Sequence, residues 1–222
     1  MALPAHQQSP AKVRIGTGYK TPGNLVIDTH SKPNPYCRWS HPNIDAAAEL
    51  MTCHALSHFH IASVEIKTFH NATGLAGHTP VRTDEFSYSI AFTVAYIIVG
   101  LQVGVPEPEV FALKNPGILR ISTAITLINN PYLAQIIDGK RWAQVSIVMR
   151  DESRHEAAPR TPRGDNDLPL SDAKISEKLH LFSDPILGSN TTLLIETFCP
   201  GFDHLDVDGV QRLLDTILRK PE

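Results

Sequence analysis

The chain has 222 residues, of which 42% are hydrophobic and 19% are charged, a composition typical of globular rather than disordered proteins. Its formal net charge of −3 gives no broad basic surface, so nucleic acid is not an expected partner. Three scattered cysteines are too few for a disulfide scaffold. No secretory signal is visible at the start, and the longest apolar run, residues 90–101, is too short to span a bilayer. A cytoplasmic location without a membrane partner is therefore expected.

The first half of the chain predicts two short strands, a helix, a third strand and a second helix. Residues 1–12 are rich in proline, glutamine and serine and are expected to be loose. The strands and helices that follow are indicated by short β-type runs, by a proline-rich loop and by alternating apolar side chains. They are strands at 13–15 and 25–27, a helix at 42–55, a strand at 61–69, and one long apolar helix that follows Asp84 and Glu85 and runs through Val99.

The second half continues to alternate helix and strand before it ends in helices. Pro116 is expected to stop a helix at 107–114, and Ser171 is expected to cap a later helix that runs to 182. The remaining expected elements are β-rich runs at 121–128 and 142–149, a loop at 155–169, and helices at 191–197 and 206–218. This order predicts an α+β domain over residues 13–169 and a helical segment over residues 170–222.

The proline-rich stretch at 32–47, KPNPYCRWSHPNIDAA, combines cations with the start of a helix. Pro33 and Pro35 favour extended backbone, whereas Pro42 suits a first helical turn. The result is a stiff loop that presents Lys32 and Arg38 beside a helix N-terminus, where a carboxylate is readily held. His41 adds a side chain that titrates near neutrality and can transfer protons.

Four stretches in order resemble the C-terminal domain of the MmgE/PrpD family, which includes 2-methylcitrate dehydratase and cis-aconitate decarboxylase. They are residues 32–47, the strand IASVEI at 61–66, the helix FSYSIAFTVA at 86–95, and PRGDNDLPLSD at 162–172 followed by Lys178. The resemblance spans nearly the whole chain, from about residue 16 to 218. It implies a lid-type α+β domain with a helical tail, without the large all-helical domain that begins longer members of the family.

The resemblance implies lyase chemistry, either dehydration or decarboxylation, on a small di- or tricarboxylate. Lys32 and His41 are then the expected catalytic residues. The expected substrate-binding residues are Arg38, Tyr36, Ser89 and Phe92. At the last of these positions the family has a tyrosine, and a shift of the alignment would bring Tyr88 there instead. A phenylalanine has no hydroxyl for proton transfer.

No metal or organic cofactor is expected, because the family reactions that the resemblance implies use side chains alone. His54 and His58 have a spacing that could bind a metal, but no carboxylate lies at a suitable spacing. We therefore do not expect them to form a metal site.

Two alternatives to a family-type lyase stay open. The domain could be a diverged isomerase or cyclase that reuses the pocket, or a non-catalytic homologue that pairs with a full-length member. Apolar surface on the helix at 90–99 and on the tail helices predicts a homo-oligomer, most simply a homodimer, or a partner that supplies the helical domain.

Overall fold

The computed structural model describes residues 30–100, 111–135 and 140–218. The strands expected at 13–15 and 25–27, and the first half of the helix expected at 107–114, lie outside them. The helices are α1 (His41–Cys53), α2 (His70–Thr73), α3 (Thr83–Tyr88), α4 (Ile90–Ile98), α5 (Pro116–Thr123), α6 (Pro131–Gln135), α7 (Asp172–Leu187), α8 (Ser189–Phe198) and α9 (Val207–Leu218). The strands are β1 (Ile61–Thr68), β2 (Ile125–Asn129), β3 (Ala143–Met149) and β4 (Arg154–Glu156).

The strands form one mixed sheet in the order β2-β1-β3-β4. The β1–β2 pair is parallel, whereas β1 pairs with β3 and β3 pairs with β4 in antiparallel fashion. Strand β1 is central, and its alternating pattern buries Val64 and Ile66. In the register, Ile66 lies opposite Leu127 on one side and Val145 on the other. The expected α+β fold is confirmed, with strands β1 and β3 close to their predicted positions.

Helices α1, α4 and α5 supply the apolar cover of the sheet. Helix α1 packs against α4 and β3, and α4 packs in turn against α5 and β2. The apolar spacing of α1 buries Ile44, Ala47 and Leu50 against the same core that contains the inward side chains of β1 and β3. The start of α1 is thereby fixed on the hydrophobic core, because the helix cannot move without exposing that apolar surface.

The predicted single helix that follows Asp84 and Glu85 and runs through Val99 is wrong, because the chain forms two helices that meet at Ser89. Ser89 has extended backbone angles, with φ −79° and ψ 116°. Its hydroxyl accepts a hydrogen bond from the Phe92 amide at 2.9 Å and donates to the Gly77 carbonyl at 2.7 Å. A serine that caps a new helix in this way satisfies a free amide of the first turn and sets a new helix direction.

Pro116 begins helix α5, and the predicted strand at 121–128 is helical in its first part. Proline is well tolerated in the first helical turn, where its missing amide hydrogen has no intrahelical partner to lose. The Asn115 side chain caps this turn by accepting from the amides of Gly117 and Ile118 at 2.8 and 3.2 Å. Strand β2 therefore begins only at Ile125.

The tail helices follow the prediction, although α7 continues past residue 182 to Leu187. Ser171 caps α7 as expected by accepting from the Lys174 amide. Helices α7 and α8 pack together, as do α8 and α9. No helix in the three described ranges is both long and apolar enough to cross a membrane.

The apolar surface that predicted self-association lies only partly where it was expected. Helix α4 is not exposed: Ile90, Val94 and Tyr96 are fully buried in the core, so this part of the expectation is wrong. The tail does present large apolar side chains to solvent, namely Leu193, Leu194, Val207, Leu214 and Ile217. Association through the tail stays a prediction.

Candidate active site at the start of helix α1

The proline-rich loop is anchored to the core just before α1. The Tyr36 ring is completely buried and packs against the Phe86 ring, with the ring centroids 5.1 Å apart. The Cys37 amide donates to the carbonyl of Ser87 at 2.8 Å. One turn of 3-10 helix, Arg38–Ser40, then leads directly into α1. These contacts hold the loop and the first turn of α1 in fixed relative positions.

The N-cap and first turn of α1 contain buried polar atoms that have no hydrogen-bond partner among the described residues. They are the Ser40 hydroxyl, both ring nitrogens of His41 and the side-chain oxygen of Asn43. The Asn43 amide group itself is engaged, because it donates to the Trp39 carbonyl at 2.9 Å. Buried polar atoms are costly unless they are paired, so their concentration in one turn indicates a place for water or a polar ligand.

His41 is held in its neutral form by its surroundings. Burial lowers the pKa of His41 to about 4, and the nearby charges of His30 and Lys32 act in the same direction. Asp45 and the nearby Asn34 backbone, whose approach to the ring falls short of hydrogen-bond geometry, oppose the shift but do not cancel it. At neutral pH the His41 ring is therefore uncharged, and a proton placed on it is unfavourable unless an anion binds beside it.

Arg38 reaches across to a distant loop and pairs with Asp165. Its terminal nitrogen Nη2 lies 2.5 Å from each carboxylate oxygen of Asp165. The carboxylate clamp that the sequence predicts for Arg38 is thus occupied by a carboxylate of the chain itself. The side chains are 37% and 13% exposed, so the pair is only partly shielded from water.

Asp165 also binds His30, a residue that no pattern in the sequence indicates. The Nδ1 atom of His30 lies 2.7 Å from Oδ1 of Asp165. The His30 ring is 5.7 Å from the His41 ring, measured between centroids. Burial lowers the pKa of His30, whereas its hydrogen bond to Asp165 opposes that shift. His30 therefore links the start of α1 to the segment that contains Asp165.

Lys32 lies at the open side of this group. Its side chain is exposed and donates to the Tyr36 carbonyl at 3.2 Å. Its charge is close enough to lower the pKa values of both His30 and His41. The structure thus brings Lys32, Arg38 and His41 together around His30.

The other predicted substrate-binding residues lie in the core or in a cap. Phe92 is fully buried, and its ring packs edge-on against that of Phe86 at 4.9 Å. Tyr88 ends α3 with 62% of its surface exposed, so it does not share the environment of Phe92. Ser89 uses its hydroxyl to start α4, as described above. A substrate contact by Tyr36, Ser89 or Phe92 stays a prediction.

A turn at Gly164 brings Asp165 to the site. Gly164 has φ +94°, and a Cβ atom there would collide with the backbone carbonyl of Ser31. Its own carbonyl accepts from the Ser31 amide at 2.8 Å, and its amide donates to Leu168 at 2.7 Å. The only signal for this in the sequence is the Gly-Asp pair in the fourth matching stretch, and it does not reveal which distant residues Asp165 binds.

The histidines considered as metal ligands do not form a metal site with other described residues. His54 packs against the ring of His155 with the centroids 4.3 Å apart, and His58 packs against Phe59 at 4.0 Å. In the described ranges there is no group of three or more His, Cys, Asp or Glu side chains suited to hold a metal ion.

A family model described as the MmgE/PrpD C-terminal domain matches residues 35–197, which is most of the chain. The chain therefore belongs to the MmgE/PrpD family, and the matched part is that family's C-terminal domain. The match includes Arg38, His41 and Asp165, whereas His30 and Lys32 lie just before it. Among curated proteins, none matches the chain.

Proposed function

We propose that this domain serves a lyase that acts on a small di- or tricarboxylate by dehydration or decarboxylation. The observation that carries the proposal is the group of cations and histidines around buried, unpartnered polar atoms at the start of α1, in a chain of the MmgE/PrpD family. A polycarboxylate would supply acceptors for such donors and negative charge at a helix N-terminus.

Lys32 is the cation best suited to hold a substrate carboxylate. The positive charge of Arg38 is already balanced by Asp165, whereas Lys32 is exposed and makes its described side-chain hydrogen bond to a neutral carbonyl. An incoming carboxylate also offsets the effect of nearby positive charge on His41 and so favours its protonation. Binding and proton transfer are therefore coupled in this arrangement.

The experiment is a thermal shift assay against citrate and a panel of other di- and tricarboxylates. We expect at least one of them to raise the melting temperature of the natural chain. Lys32→Ala should weaken that binding by about tenfold, which corresponds to about 1.4 kcal/mol. The matched control is Lys114→Ala, since Lys114 is also an exposed lysine but lies outside the site. A folded natural chain that no carboxylate stabilises contradicts the proposal.

A second candidate is a binding role without family-type lyase turnover, either as a diverged isomerase or cyclase or as a non-catalytic partner. It is favoured by the engagement of Arg38 with Asp165 and by the buried Phe92 in place of a hydroxyl-bearing residue. Proton NMR of the bound ligand separates the candidates. Dehydration forms a C=C bond with the loss of one water, decarboxylation shortens the carbon skeleton, and isomerisation changes neither the mass nor the number of carboxylates.

A further inference from the structure

The His30–Asp165 contact fixes which ring nitrogen of His30 carries the proton. A carboxylate paired with Arg38 can only accept hydrogen bonds, so the Nδ1 atom that lies 2.7 Å from it must be the donor. In the neutral ring the other nitrogen, Nε2, then carries a free lone pair. Nε2 is buried and has no hydrogen-bond partner in the described part of the chain.

His30 and His41 differ in their ability to hold an added proton. His41 is fully buried, and the favourable negative charge of Asp45 does not offset that burial. His30 donates directly to Asp165, so a proton taken up at Nε2 leaves an imidazolium ring that is hydrogen-bonded to a carboxylate. Such contacts stabilise the charged ring and orient it. His30 is therefore the better proton acceptor of the two.

We propose that His30 is the proton-accepting catalytic residue of this site, with Asp165 as its positioning residue and Arg38 holding Asp165 in place. The proposal rests on the lyase function proposed above and selects dehydration. In this step a C–H bond next to a substrate carboxylate breaks, and its proton goes to Nε2 of His30. The electron pair forms a C=C bond as the neighbouring C–OH bond breaks. The leaving hydroxide takes a proton from the Lys32 ammonium, and exchange with solvent restores both residues.

The charged and titratable groups around His30 in the described ranges are Asp165, Arg38, Lys32 and His41. Arg38 and Lys32 disfavour protonation of His30, and Asp165 favours it. Replacing Asp165 by asparagine removes the favourable charge, so His30 should protonate only at lower pH. A residue that acted only in folding would not shift the His30 titration.

The first test measures the tautomer without any substrate. Proton–nitrogen NMR correlation of histidine-labelled protein should show Nδ1 of His30 protonated and Nε2 bare, with its signals assigned by their loss in His30→Asn. Asp165→Asn should lower the pH at which this ring titrates. If the neutral His30 ring of the natural chain carries its proton on Nε2 instead, the proposal is overturned.

The second test uses citrate in deuterated water, because its methylene protons lie next to carboxylates and beside the carbon that bears the hydroxyl. The natural chain should exchange these protons and form a vinylic product. His30→Asn keeps a donor toward Asp165 but lacks Nε2, and should lower the rate by roughly 100-fold or more. His60→Asn, at an exposed histidine outside the site, is the matched control and should keep the natural rate.

The outcomes separate the two proposals. If citrate binds and exchanges equally in the natural chain and in His30→Asn, the assignment of His30 is overturned while the carboxylate site stands. If citrate binds and neither exchange nor product appears, His30 is not acting as a base on it and the assignment also fails. If no carboxylate in the panel binds, the proposed function fails and takes this assignment with it.

Discussion

The ion pair between Arg38 and Asp165 gives the sharpest test of how the site is held together. We expect a double-mutant cycle of Arg38→Ala, Asp165→Ala and the double variant to give a coupling free energy of about 1–2 kcal/mol. Asp165→Ala alone should lower the free energy of unfolding by more than this coupling energy, because it also removes the hydrogen-bond acceptor of His30. The cycle isolates the Arg38 contribution from that second loss.

The expected magnitude follows from the exposure of the two side chains. Fully exposed ion pairs contribute about 0.2–1 kcal/mol, and breaking a fully buried pair costs about 3–5 kcal/mol. With side chains that are 37% and 13% exposed, the Arg38–Asp165 pair lies between these two cases. Because water screens the more exposed Arg38, its coupling energy should fall in the lower part of the range between them. Two short hydrogen bonds to the carboxylate add geometric restraint.

Urea denaturation followed by circular dichroism measures the four free energies of unfolding. The control is the same cycle at Arg82 and Asp84, which form a 3.0 Å pair with both side chains 66% exposed. That pair should couple by about 0.5 kcal/mol or less. A coupling for Arg38 and Asp165 no larger than the control value would refute the argument that this pair stabilises the site.

Two further predictions concern Gly164 and His41. Gly164→Ala should lower stability by about 2 kcal/mol or more in thermal denaturation, through its positive φ and the collision with Ser31. Gly188→Ala, at φ +79° with no atom close to the added Cβ, should lose only about 1 kcal/mol, and equal losses would contradict the role of the collision. Because the pKa of His41 falls from 6.5 to about 4 on folding, its contribution to stability is present above pH 6.5 and is lost as the pH falls through 4. The full loss is roughly 3 kcal/mol. The free energy of unfolding, measured by urea denaturation at pH 7 and at pH 4, should depend less on pH in His41→Gln than in the natural chain. An equal dependence would contradict the lowered pKa of His41.

The sequence predicts the fold well where a local pattern sets the structure. Strand β1 was predicted because its apolar side chains alternate, and α1 because Pro42 precedes a run of small apolar residues. The break at Ser89 and the helix that begins at Pro116 were not predicted, because serine and proline are each compatible with two local structures. For Ser89 the deciding contact is the hydrogen bond to the Gly77 carbonyl, and for Pro116 it is the cap formed by the Asn115 side chain.

The candidate site was predictable only in part, because its partners lie far apart along the chain. One short stretch of the sequence, which also carries the family resemblance, contains Lys32, Arg38 and His41. The sequence alone therefore predicts that these three residues lie together. Asp165 is 135 residues from His30 and 127 from Arg38, and it reaches them through a turn that depends on the positive φ of Gly164. No periodicity or spacing in the sequence encodes such a pairing.

The hydrogen bond from the Lys178 side chain to the Lys32 carbonyl, at 2.6 Å, links helix α7 to the loop that carries the proposed carboxylate contact. A ligand that binds this loop in its present position therefore also favours the docked position of α7. By thermodynamic reciprocity, anything that holds α7 in place strengthens ligand binding by the same factor. Hydrogen exchange of the α7 amides thus becomes a remote reporter of occupancy at Lys32, and Lys178→Ala should uncouple the reporter from the ligand.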